Sequence, residues 1–203
     1  MAKQYTETEA KLYVPDLDEV RAKLETLGAK LTAPRVFERN VRYDTLDEAL
    51  RANSGVLRLR QDTRVRLTFK DGERVTGEHG TSRFEAEVVV SDFDAMEVIL
   101  GKLGYFRFMV YEKYRTTYEL DETEVTLDEM PYGNFVEVEG EDESIGRVIA
   151  ALELQDAPQF RNSYVVLFEN VRRRLNLDIR DLSFENFKGV DVPVIAFSPP
   201  LRD

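Results

Sequence analysis

Residues 9–29, EAKLYVPDLDEVRAKLETLGA, recur as residues 85–105, EAEVVVSDFDAMEVILGKLGY. At an offset of 76, Glu9/Glu85, Ala10/Ala86, Val14/Val90, Asp16/Asp92, Asp18/Asp94, Leu24/Leu100, Leu27/Leu103 and Gly28/Gly104 are identical. Each copy reads as a strand, an Asp at a helix N-cap, an amphipathic helix and a Leu-Gly close. Asp16 with Glu19 three residues on has the form of a capping pair. The echo continues at an offset of 74, where Val36-Phe37-Glu38-Arg39 resembles Val110-Tyr111-Glu112-Lys113. Two copies of one β-α-β-β unit predict a pseudo-two-fold fold, with halves at about residues 1–80 and 81–165 that close on each other.

Working outward, period-two alternation predicts strands over 36–44, 56–61, 64–70, 83–90, 111–120, 124–129 and 134–139, besides the one that opens the first copy. A short helix is expected over Leu46–Ala52, further helices over 142–153 and 162–175, and a loop over the Gly-rich 71–80. Tyr164, Val165, Leu167, Phe168 and Val171 recur at helical spacing and read as packing. Arg172–Arg174 suit the negative end of that helix. Residues 176–203 form a tail expected to dock in part, with Ser198–Asp203 disordered.

Composition removes several classes of function. The chain of 203 residues contains no Cys, so disulfides, thiolate metal sites and a Cys nucleophile are excluded. Its one histidine, His79, lies in Gly77-Glu78-His79-Gly80, reads as a solvated loop residue and leaves no basis for a Ser-His-Asp triad. A net charge of −11 argues against nucleic acid as a partner. The absence of an apolar run long enough for a bilayer, or of a signal-like start, predicts no membrane association and a cytoplasmic location.

The charged faces carry the chemistry. One face of these strands presents Lys11, Arg58, Arg60, Lys70, Arg83, Lys113 and Arg115 together with Glu7, Glu9, Glu85, Glu87, Asp128, Glu137 and Glu139. The opposite face is Leu, Val, Phe and Ala, suited to a cover of helices. Two architectures fit: an open sheet with its polar face in water, or a closed one whose interior is a wet, charged channel. A channel of this kind suits a polyanion, since Arg forks match phosphate oxygens and clustered carboxylates invite Mg²⁺ or Mn²⁺. No Walker-type glycine loop is present.

The ordered set Glu7-x-Glu9-x-Lys11, Tyr43-Asp44-Thr45, Leu57-Arg58-Leu59-Arg60, Leu67-Thr68-Phe69-Lys70, Arg83-x-Glu85-x-Glu87, Glu112-Lys113-x-Arg115, Leu127-Asp128, Gly133-x-Phe135-x-Glu137-x-Glu139 and Ser163-Tyr164 resembles the CYTH family, the triphosphate tunnel metalloenzymes. That family includes class IV adenylyl cyclases, thiamine triphosphatases and tripolyphosphatases. The resemblance runs from Glu7 to about Phe168 and implies an α+β fold: a closed eight-stranded antiparallel barrel, the triphosphate tunnel, with flanking helices, in a domain over residues 1–175. It implies that Lys11, Arg58, Arg60, Lys70, Lys113 and Arg115 grip a triphosphate, and that Glu7, Glu9, Asp128, Glu137 and Glu139 hold Mg²⁺ or Mn²⁺. Glu7, Glu9, Lys11 and Lys70 are the implied catalytic residues, while Arg83, Glu85 and Glu87 either join the site or pair with the basic side chains. The resemblance also admits a homodimer.

The expected substrate is a small-molecule triphosphate: inorganic triphosphate, ATP or thiamine triphosphate. In the thiamine triphosphatases a tyrosine precedes the position of Tyr43, and Arg42 in its place counts against that substrate. The leading expectation is metal-dependent hydrolysis. Its alternatives are cyclisation of ATP to cyclic AMP and pyrophosphate, and a non-catalytic polyphosphate or nucleotide binder. The number of carboxylates disfavours the last, because a pure polyanion binder gains nothing from them.

Overall fold

The computed structural model describes residues 6–199. In chain order these form β1 (Thr6–Val14), α1 (Leu17–Thr26), β2 (Lys30–Asp44), α2 (Ala49–Ala52), β3 (Val56–Gln61), β4 (Val65–Lys70), β5 (Val75–Thr76) and β6 (Thr81–Val90). There follow α3 (Phe93–Lys102), β7 (Phe106–Leu120), β8 (Thr123–Met130), β9 (Gly133–Glu139), α4 (Asp142–Ala151), α5 (Tyr164–Leu175) and a short 3₁₀ turn, Val194–Phe197. The strands pair antiparallel in the order β1-β9-β8-β7-β2-β3-β4-β6, and β6 pairs again with β1. Eight strands therefore form a ring, with β5 a two-residue addition along β6. Exchanging β1 with β6, β2 with β7, β3 with β8 and β4 with β9 maps the strand order onto itself, which is the symmetry the sequence repeat predicts.

The helices start and stop where the repeat requires. Asp16 Oδ1 accepts the Asp18 N–H at 2.7 Å, and Asp92 Oδ1 accepts the Ala95 N–H at 2.8 Å. Glu19 contributes as an acidic first-turn residue at the positive helix end. Gly28 and Gly104, at φ of +77° and +90°, supply the left-handed close that a Cβ would strain. Helices α1 and α4 cover one outer arc, where Leu12, Val125, Leu127, Val136 and Val138 meet Leu24, Ile145, Val148 and Leu152. The opposite arc packs under α3, with Val41, Tyr43, Leu57 and Leu59 against Phe93 and Leu100.

Strands β2 and β7 run longer than alternation predicts. Pro34 lacks an N–H and interrupts the pattern, but the register slips between Ala33 and Val36, and the strand tolerates Pro34 at that irregularity. The predicted loop 71–80 contains β5, and its end folds around the start of α4: Asp142 accepts the backbone N–H groups of Glu78, His79 and Gly80. His79 accordingly lies against Gly146, where a Cβ would meet its ring at 2.7 Å, rather than standing free in solvent.

One end of the ring is closed. Inward-facing Tyr13, Met109, Tyr111 and Phe135 pack with Tyr132, with α5 through Tyr164, Leu167, Phe168 and Val171, and with tail residues Leu182, Phe187 and Phe197. The tail reaches β7 where β8 has ended: Leu182 N–H donates to Val110 O at 3.0 Å, and Glu112 N–H donates to Leu182 O at 2.9 Å. The expected disorder of the last residues falls mostly on 200–203, outside the described residues.

Phe135 is fully buried and stacks edge-on against Tyr13, Tyr132, Tyr164 and Phe197 at centroid distances of 5.3 to 5.7 Å. Phe135→Ala is expected to cost about 3–5 kcal/mol in urea unfolding, the usual cost of truncating a buried aromatic. A loss under about 1 kcal/mol would show that this end is loosely packed.

Candidate active site

Inside the ring the residues facing away from the helices are mostly ionisable, and they line a chamber of about 290 Å³. Lys11, Arg58, Arg60, Lys70, Arg83, Lys113 and Arg115 all line it, with Glu7, Glu9, Glu85, Glu87, Glu137 and Glu139. Asp128 stands behind this lining, fully buried.

Buried charge must be compensated, and most of it is. Asp128 accepts from Lys113 Nζ at 2.9 Å, from Arg115 Nε and Nη2 at 2.6 Å each, and from the Tyr164 hydroxyl at 2.7 Å. Glu137 pairs with Lys11 at 2.7 Å and also with Arg115. Glu38 lies 3.4 Å from Arg60 and 3.6 Å from Lys113. Burial raises its pKa, but Lys113 and Arg60 outweigh that and hold it well below the usual carboxylate range. Lys70 pairs with Glu85.

Arg58 is held more loosely: its guanidinium reaches the Tyr111 hydroxyl at 3.2 Å and Thr68 Oγ1 at 3.1 Å, with Glu87 and Glu85 at 3.7 and 3.9 Å. Several buried donors have no acceptor among the described residues, namely Arg42 Nε, Arg58 Nε, Arg83 Nη1 and Asn40 Nδ2. Unused donors on buried cations are what an anionic ligand would satisfy.

The opposite imbalance exists at another part of the lining. Glu9 on β1 is directly across from Glu139 on β9, and Glu139 is across from Glu124 on β8. Burial first, then the charges of Glu124 and Glu9, push the Glu139 carboxyl up to about 7. Glu7 is pushed up to about 8 by burial, a hydrogen bond with Glu85 and the charges of Glu139 and Glu85. Glu9 shifts down instead, because Lys11 is beside it. Crowded carboxylate oxygens are hard donors of the kind Mg²⁺ and Mn²⁺ take, and a divalent cation would relieve their repulsion. Glu7, Glu9, Glu139 and Glu124 fit that role by chemistry, although no three acids among the described residues converge as a formed cage. Asp128 and Glu137, expected beside them, already have oxygens committed to Lys and Arg.

Sequence reasoning passed over Glu38, Asn40 and Arg42, which occupy alternate positions of one strand and share its inner face. Their signal was the polar half of VFERNVRYD. Tyr111 and Glu124 were likewise legible only from sharing a face with Lys113 and Asp128. Tyr164 packs as expected but also belongs to the site, since its ring lies 4.5 Å from Lys11 Nζ and 5.3 Å from Lys113 Nζ.

The CYTH domain model matches residues 5–164, which is most of the chain. The chain belongs to the CYTH family. A Methanocaldococcus jannaschii protein named a "putative adenylate cyclase" is 26% identical over 87% of this chain and 99% of its own length. A Vibrio parahaemolyticus structure with the same description aligns with a TM-score of 0.69 at 19% identity, covering 82% of this chain and 99% of that one. A Hippeastrum protein described as having a dominant triphosphatase activity aligns with a TM-score of 0.61 at 17% identity, over 80% of this chain and 95% of that one. These CYTH structures share the ring of strands and flanking helices. The family match ends within the first turn of α5, so most of the segment that closes the ring lies outside it. Among the described residues no helix is long and apolar enough to cross a membrane.

The raised carboxyls set a pH dependence. From the ordinary 4.5 up to about 8 for Glu7, and about 7 for Glu139, the folded state holds protons that the unfolded state has lost. Stability without metal is therefore present below that window and falls as pH rises through it. Melting temperature in chelator should decline from about pH 5 to about pH 9, and Glu7→Gln with Glu139→Gln should flatten the decline. An unchanged slope in the double variant would count against the crowded-carboxylate description.

Proposed function

We propose that this CYTH protein hydrolyses a triphosphate, either inorganic triphosphate or a nucleoside triphosphate, with Mg²⁺ or Mn²⁺ as cofactor. The observation that carries this reading is the set of buried guanidinium and amide donors left without acceptors in a chamber lined by Lys and Arg. Lys11, Arg58, Arg60, Lys70, Lys113 and Arg115 hold the phosphate oxygens. Asp128 and Glu137 brace Lys11, Lys113 and Arg115 against their mutual repulsion. The rim of Glu7, Glu9 and Glu139, with Glu124 beside it, holds the cation. When bound, that cation neutralises phosphate charge and makes water more acidic.

Glu7 and Glu9 of the acidic rim meet Lys11 and Lys70 of the basic lining, and together these four orient the attacking water. Its oxygen bonds to the terminal phosphorus, the bond to the bridging oxygen breaks, and its proton passes to the carboxylate rim. Orthophosphate leaves with the shortened phosphate chain. The second reading, cyclisation of ATP, is favoured by the names of the three relatives, each called a putative adenylate or adenylyl cyclase. It requires a platform for adenine, and among the described residues the chamber lining offers, apart from Tyr111 and Tyr164, only Val56 and Val165 as apolar surface. The activity described for the Hippeastrum relative supports hydrolysis.

Arg58→Ala removes a cation whose own carboxylate contacts are long, so folding should survive. A charge-assisted hydrogen bond contributes about 1.5–3 kcal/mol, so kcat/KM on inorganic triphosphate should fall by about 10–100-fold. Orthophosphate release should also stop in chelator. Unchanged turnover in the variant would remove the chamber as the site, and full activity without divalent cation would remove the metal from the reading.

A further inference from the structure

Lys11, Arg58, Arg60, Lys70, Lys113 and Arg115 each have a carboxylate oxygen within 4 Å. Among the described residues Arg42 and Arg83 have none. Arg42 is 6% exposed and lines the chamber, and its side chain donates no hydrogen bond to any described residue. The acid nearest along its strand, Asp44, is committed elsewhere: its oxygens accept from the N–H groups of Thr45, Leu50 and Arg51 and from Arg51 Nε. The slip in register after Arg42 leaves Phe108 unpaired on β7, and its ring lies 5.5 Å from the Arg42 guanidinium. That contact orients Arg42 without neutralising it.

The charges around Arg42 add to its cost. Burial comes first, and Arg58 and Arg83 then press its pKa down to about 10, with Tyr111 and Asp44 opposing. An unpaired guanidinium in such a place is a poor structural brace, because an uncharged side chain of similar volume would sit there more stably. Arg42 pairs across the sheet with Met109, which belongs to the apolar cluster under α5, so it marks the closed end of the chamber.

We infer that Arg42 forms a subsite that binds a phosphate oxyanion of the substrate at the closed end of the chamber. The inference rests on the triphosphate reading above. It makes Arg42 a binding residue whose charge is answered only when the ligand is present.

The test measures binding of inorganic triphosphate in chelator, where no metal-assisted turnover occurs, by calorimetry on the full chain, alongside melting temperature. Arg42→Gln and Arg42→Met should weaken the affinity by about tenfold or more while leaving the melting temperature unchanged or raised. If both variants bind as tightly as the parent while Arg58→Ala loses affinity, the subsite is wrong and the chamber assignment stands. If both melt several degrees lower, Arg42 is a structural brace and the inference fails. If the parent chain itself does not bind inorganic triphosphate, the inference fails together with the reading on which it rests.

Discussion

Asp128 ties the inner surface of the ring together. It is wholly buried on β8, and it holds Lys113 and Arg115 from β7 while accepting the Tyr164 hydroxyl from the first turn of α5. One carboxylate thus joins the lining of the chamber to the helix that closes it. A buried ion of this kind is tolerable only when saturated, and losing one partner from such a set commonly costs about 3–5 kcal/mol. Because Asp128 absorbs part of the charge of Lys113 and Arg115, those cations can stand side by side and still offer donors to the chamber.

Closing the ring concentrates charge of both signs in a small volume and separates it unevenly. Carboxylates outnumber cations along the row Glu9, Glu139 and Glu124, while Arg42, with no carboxylate within 4 Å among the described residues, lies at the closed end. A free chain would screen both imbalances with water. Inside the ring each becomes a demand for a ligand, an anion at one place and a cation at the other. The two demands together describe a metal-bound polyphosphate. The strand order is symmetric, but the ends are not, because α5 and the tail fill only one of them.

Much of this was legible in the sequence because strands alternate strictly. Lys113-x-Arg115 and Glu137-x-Glu139 reach the same interior by the rule that assigns Leu127 and Val138 to the helices. The closure was not legible from alternation, since an open sheet and a ring give the same pattern; the pairing of Glu7 with Arg83 that seals it lies between residues 76 positions apart. Glu38 and Asn40 belong to no motif, and Arg42 stands out in the sequence only as a departure from the family pattern; that all three line the interior follows from their spacing of two on one strand. The helical spacing of Tyr164 is that of a buried helix face, and it packs as one; its hydroxyl contact with Asp128 is what spacing cannot show. The role of the tail could not be read, because Leu182 replaces β8 along β7 through backbone hydrogen bonds that no side-chain pattern records.

The central claim is that the chamber positions a triphosphate for attack by water. Offering ATP and inorganic triphosphate separately to the purified protein with Mg²⁺ or Mn²⁺, and quantifying orthophosphate, pyrophosphate and cyclic AMP in each, tests it most directly. The predicted result is orthophosphate without cyclic AMP, fastest from inorganic triphosphate. Cyclic AMP with a matching amount of pyrophosphate from ATP would contradict the account and make the attacking group the ribose hydroxyl.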